Sequence, residues 1–232
     1  MNNQILTNRQ LVDQYKTWAA EYDGRVSDDT SESPKAILEQ MIFVRAALIR
    51  KAMEADINSY RYSRQTIPCI PLEKADKNSC PCAPASGCHW AVTQYRIPNP
   101  IGQLISVDGV YGDIRYSYIE WNAAKYKIKS RIEADRKRPY YSIRDGYLYL
   151  HQDQYKEFVS VTGTFGDPLA VQTYPDCEGN VECCTPYLDL EFPIDPILIE
   201  ELYVLTHQAL RQSKATLNID EFNNDKKDTR FL

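Results

Sequence analysis

The sequence predicts an α+β fold, in which helices from both ends of the chain form one layer and a tyrosine-rich antiparallel β region lies between them. Three observations carry this. Helix-start signatures stand near both ends, at Thr7, Ser33-Pro34 and Asp195-Pro196. A hairpin signature centres on Asp145-Gly146, and helical periodicity is lost from Ser63 to Asn99. The expected organisation is a helical region over 1–62, a β-rich region with cysteine-containing loops over 63–188, a helix over 189–217 packed on the first helices, and a polar tail over 218–232.

The first helix is expected from Asn8 to Tyr22. The Thr7 hydroxyl can accept from amides of the first turn while Gln10 reaches back to Thr7. Leu11, Tyr15, Trp18 and Tyr22 recur at helical spacing as one aromatic face, and Asp23-Gly24 supplies the stop. After an acidic, serine-rich loop, Ser33-Pro34 opens a second and longer helix to about Ile57, because proline at the first helical position loses no hydrogen bond. Its apolar residues, among them Ile37, Leu38, Met41, Ile42 and Leu48, cover more than a narrow stripe, which predicts burial on several sides.

From Ser63 to Asn99 five prolines (Pro68, Pro71, Pro81, Pro84 and Pro98) predict extended and looped chain without a long regular element. Strands are expected over Gln103–Val107 and Gly112–Ile119, and residues 120–138 fit either a basic helix or a strand. In the hairpin Tyr140–Leu150, Asp-Gly suits a two-residue turn with positive φ and fixes the register. Ile143 should face Leu148 and Tyr141 face Leu150 on one side, with Ser142, Arg144, Tyr147 and Tyr149 on the other. Another strand should run from Glu157 to Phe165. Asp195-Pro196 then opens a third helix, carried by Leu198, Leu202, Leu205 and Ala209 and closing near Ser213. The tail beyond Asn218 nearly balances its charges and alone should be flexible.

Bulk properties restrict function. A chain of 232 residues with 43% hydrophobic content can bury a core, and a net charge of -5 gives no global attraction to nucleic acid. The polar N-terminus lacks the apolar run of a secretory signal, so synthesis in a cytoplasm is expected. The most apolar stretch, Met41–Ile49, is interrupted by Arg45 and too short to cross a bilayer, so no membrane partner is expected. Tyrosine outnumbers phenylalanine 17 to 6, which suits surfaces that are partly buried against other chains.

No phosphate loop, Gly-x-Ser-x-Gly elbow or His-Glu-x-x-His motif occurs, and His89, His151 and His207 have no evident catalytic partner in sequence. The reading is therefore a non-enzymatic protein without a cofactor. Seven cysteines cannot all pair within the chain. Cys80, Cys82, Cys88 and His89 form the most pointed constellation, since thiolate and imidazole are zinc's ligands, but their spacing is tighter than that of zinc fingers. A loop disulfide is the second reading, and free or packed thiols are favoured; Cys69 is expected to be simply packed. The run from Ala123 to Arg138 holds seven positive residues (Lys125, Lys127, Lys129, Arg131, Arg136, Lys137 and Arg138) against Glu133 and Asp135, a net of +5. A solvated helix face or an acidic protein neighbour is favoured over DNA for this patch.

The C-terminal part carries a resemblance. Phe192-Pro193-Ile194-Asp195 leading into Pro196–Arg211, followed by Asp220-Glu221-Phe222-Asn223-Asn224-Asp225, resembles the C-terminal pattern of virion structural proteins of crAss-like phages, and the tyrosine-rich hairpin fits that group. The resemblance implies a structural ring subunit of the head-to-tail connector, in twelve copies, located in the virion after assembly in the bacterial host's cytoplasm. The implied partners are further copies of itself, the portal protein and other connector or tail proteins, with DNA passing the lumen without specific binding. A tail or baseplate component is the alternative within this class, and a small metal-binding module or enzyme using Cys80–His89 is the rival outside it. Contacts with partners are expected from Leu198, Leu202, Tyr203, Phe222, Asn223, Asn224, Tyr147 and Tyr149.

Overall fold

The computed structural model describes residues 6–24, 32–55, 61–75, 89–128, 131–133, 137–151, 156–178 and 186–225, with residues 214–225 placed by backbone alone. In chain order the described elements are α1 (Asn8–Tyr22), α2 (Pro34–Ala55), β1 (Gln65–Lys74), β2 (Ala91–Thr93), β3 (Ser106–Gly109), β4 (Ser117–Tyr118), α3 (Trp121–Ile128), β5 (Tyr140–Arg144), β6 (Tyr147–His151), β7 (Phe158–Gly163), α4 (Pro168–Gln172) and α5 (Ile199–Asp225). Helices and an antiparallel-dominated sheet make this an α+β protein. Two compact units divide it: Met1–Ser63 with Pro186–Leu232, and Arg64–Thr185.

The first unit is helical. Thr7 caps α1 with both arms of the capping box formed, and Asp23 ends it, followed by Gly24 at φ 63°. The backbone ahead of α1 is tied to the chain ahead of α5: the Asn8 amide donates to the Leu190 carbonyl, the Phe192 amide to the Leu6 carbonyl, and the Asn8 side chain to the Tyr187 carbonyl. Helix α2 packs along α5, and both meet α1. Leu11 and Tyr15 of α1, Ile37, Met41 and Leu48 of α2, and Leu202 of α5 are buried. Arg45 is fully buried in α2; its Nε donates to the Pro193 carbonyl at 2.8 Å, and its guanidinium stands over the Phe192 ring.

The third helix of this unit corrects one expectation. Its start is as read, with the Asp195 carboxylate accepting from the Ile197 amide over a 3-10 turn at Pro196–Leu198. Its end is not: α5 does not close near Ser213 but continues to Asp225. No glycine or proline follows Pro196, so nothing in the chain opposes propagation once α5 is anchored by its first half. The helix thus takes in the first part of the expected flexible tail, and residues 226–232 lie outside the described residues.

The second unit is a small β-barrel. Strand order is β3-β7-β1-β2-β6-β5-β4, with every neighbouring pair antiparallel except β4 and β5. The outer strands are joined by the segment leading into β4. Asp108 of β3 bridges Arg115, and the Tyr116 amide donates to the Val107 carbonyl. The next residues turn to β5, where the Ser117 amide donates to the Pro139 carbonyl and the Ile119 amide to the Tyr141 carbonyl. The segment therefore pairs first with one outer strand and then with the other, which closes the sheet. Ile67 and Ile70, Ala91, Val107, Tyr141, Leu148 with Leu150, and Val159 with Val161 bring β1, β2, β3, β5, β6 and β7 into one interior cluster.

Strand β1 corrects a second expectation. It is ten residues long and lies inside the sheet although it contains Pro68 and Pro71. Its pairing with β7 shifts register between Ile67 and Ile70, so Pro68 falls in an irregularity where no ladder amide is required. The strand expected at Gln103–Val107 is displaced to β3, and the one expected at Gly112–Ile119 shortens to β4, because the chain turns between them. Of the ambiguous stretch, Trp121–Ile128 is helix. The hairpin has the expected register, Ile143 opposite Leu148 and Tyr141 opposite Leu150, around Asp145 at φ 54° and Gly146 at φ 83°.

Candidate assembly surfaces

Of the residues expected to meet partners, Leu202 and Tyr203 are buried inside the helical unit. The Tyr203 hydroxyl donates to the Gln14 side chain at 3.2 Å, and its ring packs against Tyr15 and Trp18. Leu198 is half-buried in the 3-10 turn. Tyr147 and Tyr149 are half-buried against a cluster on the outside of the barrel, built from Trp90, Val92, Tyr140 and Ala124. Trp121 meets Tyr149 edge-on at 4.7 Å and takes the Arg144 guanidinium on its face. Phe222, Asn223 and Asn224 lie on the last turns of α5.

The three histidines separate by environment. His89 is exposed. His207 lies in a polar clasp between α1 and α5: one ring nitrogen is 3.3 Å from the Tyr15 hydroxyl, the other 3.2 Å from the Asp23 carboxylate, which also accepts from Arg211. Burial alone would raise the Asp23 carboxyl, but the Arg211 hydrogen bond and His207 outweigh it and hold it below its ordinary value. Burial pushes the Tyr15 and Tyr203 hydroxyls up to about 12. His151 faces Ser142 Oγ at 2.8 Å and the Trp90 ring edge-on, and burial pushes it down to about 4. Ser142 is fully buried, so its hydroxyl cannot reach a substrate; the pair belongs to the packing of the barrel.

Cys69 is a third correction. It is not merely packed but bonded to Cys177, 108 residues away in sequence. The irregularity in β1 places Cys69 against the chain that follows α4, a proximity set by tertiary folding and absent from any local spacing. Cavities of about 300 and 390 Å³ adjoin this bond, the first lined by Ile67, Val171 and Tyr174, the second by Phe158, Val110 and Tyr111. Cys80, Cys82 and Cys88 lie outside the described residues, as do Cys183 and Cys184.

The outer surface of the barrel carries two apolar features that the sequence did not single out. Tyr111 is 94% exposed at the tip of the turn after β3. This turn is tightly built: Gly112 has φ 69°, a Cβ on Gly109 would collide with Asp113, and Asp113 accepts from Lys156 at 2.8 Å. The glycine pair flanking Val110-Tyr111 is the signal that could have found it. The second feature is the start of the basic run. Tyr126 and Ile132 are exposed beside Lys127 and Arg131, while Lys137 pairs with Glu133.

A protein-family model described as "Phage tail ring protein 2" matches residues 19–229. The match takes in helices of the first unit as well as the whole barrel, a wider span than the C-terminal pattern alone suggests. No curated protein matches the sequence.

Proposed function

Because this chain belongs to the Phage tail ring protein 2 family, a ring family of crAss-like phages, we propose that it is a connector ring subunit standing between the portal and the tail. As a phage ring protein it is a structural component of the virion and associates with itself in a ring. The finer reading is that twelve copies stack against the portal protein or an adjoining ring, and that DNA passes through the lumen without being held. The family match across 19–229 is the observation that carries the ring subunit, on which these finer placements rest.

Physical features agree with it. A closed barrel exposes few unpaired strand edges, so copies must join through side-chain surfaces and not through runaway strand addition. That suits an assembly of fixed copy number. A lumen lined with fixed cations would retard passing DNA, and the basic run is accordingly assigned to a protein contact or outer solvent. The family's description as a tail ring supports a second placement, lower in the tail. Negative-stain microscopy of the purified chain tests ring formation, and cryo-electron microscopy of virions tests the position: density for this fold next to the portal supports the connector, and density at a distal tail ring supports the alternative.

A further inference from the structure

We propose that the contact between neighbouring copies in the ring is made by the C-terminal half of α5 of one copy lying on the α3 surface of the next; this rests on the ring reading above. Helix α3 carries Tyr126 and Lys127, and the chain just after it carries Arg131 and Ile132; all four are exposed, Tyr126 by 70% and Ile132 by 63%. A surface that mixes cations with large apolar side chains fits an acidic amphipathic segment better than it fits phosphate, which has no use for the apolar half.

The chain itself contains such a segment. From Leu217 to Asp225, α5 has three acids (Asp220, Glu221 and Asp225) and no base, with Ile219 and Phe222 three residues apart on the helix. Residues 214–225 extend α5 by about 18 Å at 1.5 Å per residue. The last turn of α5 contains no basic residue. Acids there stand at the negative end of the helix dipole, where like sign repels. A cationic surface against this end removes the repulsion.

Charge distribution also favours a second copy as occupant. The run Ala123–Arg138 carries +5 while the whole chain carries -5, which leaves -10 on the remainder. A ring needs two different, complementary patches on every subunit, so that each copy gives one and receives the other. The basic patch belongs to the barrel unit and the acidic helix end to the helical unit.

The test is a charge swap. One variant carries Lys127→Glu with Arg131→Glu, a second carries Asp220→Lys with Glu221→Lys, and a third carries all four changes. Circular dichroism melting first establishes that each folds as the parent does. Ring formation is then followed by size-exclusion chromatography and negative-stain microscopy against protein concentration and salt. Each two-site variant should need roughly tenfold more protein to form rings, and the four-site variant should recover most of that loss. Parent-like assembly of the two-site variants would overturn the pairing and leave the ring reading standing. So would a four-site variant no better than its components, or a DNA gel shift of the parent that Lys127→Glu with Arg131→Glu abolishes. A parent chain that forms no rings at any concentration sinks the ring reading, and this pairing with it.

Discussion

Asp108 and Arg115 face each other across the closure of the barrel, bridged through their backbones and joined by an ion pair of 2.9 Å. The Arg115 side chain is 75% exposed, so the ion pair decorates the closure and the interior packing holds it. Arg115→Ala should leave stability close to the parent's, read as an almost unchanged urea midpoint at constant slope. A loss of several kcal/mol would show that the ion pair itself keeps the barrel closed.

The hairpin gives a graded pair of variants. Leu148 is fully buried, and Leu148→Ala should destabilise by about 2–5 kcal/mol through lost burial and a cavity. Tyr149, half-buried against Trp121, should cost roughly half as much when truncated, measured in urea. Equal losses at both positions would contradict the inward face assigned to Leu148.

Acid stability should depend on His151. Its folded pKa is pushed down to about 4, whereas the unfolded chain binds that proton near the ordinary value of 6.5. Between these values the unfolded state binds more protons, so stability falls as pH drops from 6.5 towards 4, by about 3 kcal/mol in all. The depressed carboxyls Asp23, Asp108 and Asp113 lose their contribution only as pH falls below that window. Denaturant midpoints of a His151→Gln variant should therefore vary less than the parent's across pH 4 to 6.5, and an unchanged slope would remove His151 as the cause.

Reduction should weaken the barrel unit. The Cys69–Cys177 bond closes a loop of 108 residues in the unfolded chain, a constraint worth up to about 5 kcal/mol by chain entropy. Dithiothreitol should lower the parent's melting temperature and leave that of Cys177→Ser unchanged. No response in the parent would mean that the bond contributes nothing to the folded state.

What was legible in the sequence follows how local each cause is. The bounds of α1 could be read because Thr7, Gln10 and Asp23 act within one helical turn of the ends they fix. The register from Tyr141 to Leu150 could be read because a two-residue turn with two positive φ angles allows one pairing. Strand β1 could not, since its prolines are tolerated only through a register shift against β7, which is distant in sequence. The partner of Cys69 was hidden for the same reason. Helical spacing identified Leu198, Leu202, Leu205 and Ala209 as one face but not what that face meets, and the structure buries Leu202 inside the helical unit.

The division of the chain has a consequence in time. The helical unit is made of two segments, and the barrel, Arg64–Thr185, is synthesised between them. Helices α1 and α2 leave the ribosome first, yet the residues that cover them, such as Leu202 and Tyr203, are translated last. At about 5–20 residues per second the barrel takes roughly 6–24 s to translate, long compared with helix formation. During that interval the barrel can complete its own closure while the apolar faces of Leu11, Tyr15, Met41 and Leu48 wait for α5. Arrival of the last helix thus covers the waiting apolar faces, and the helical unit is finished only at the end of synthesis.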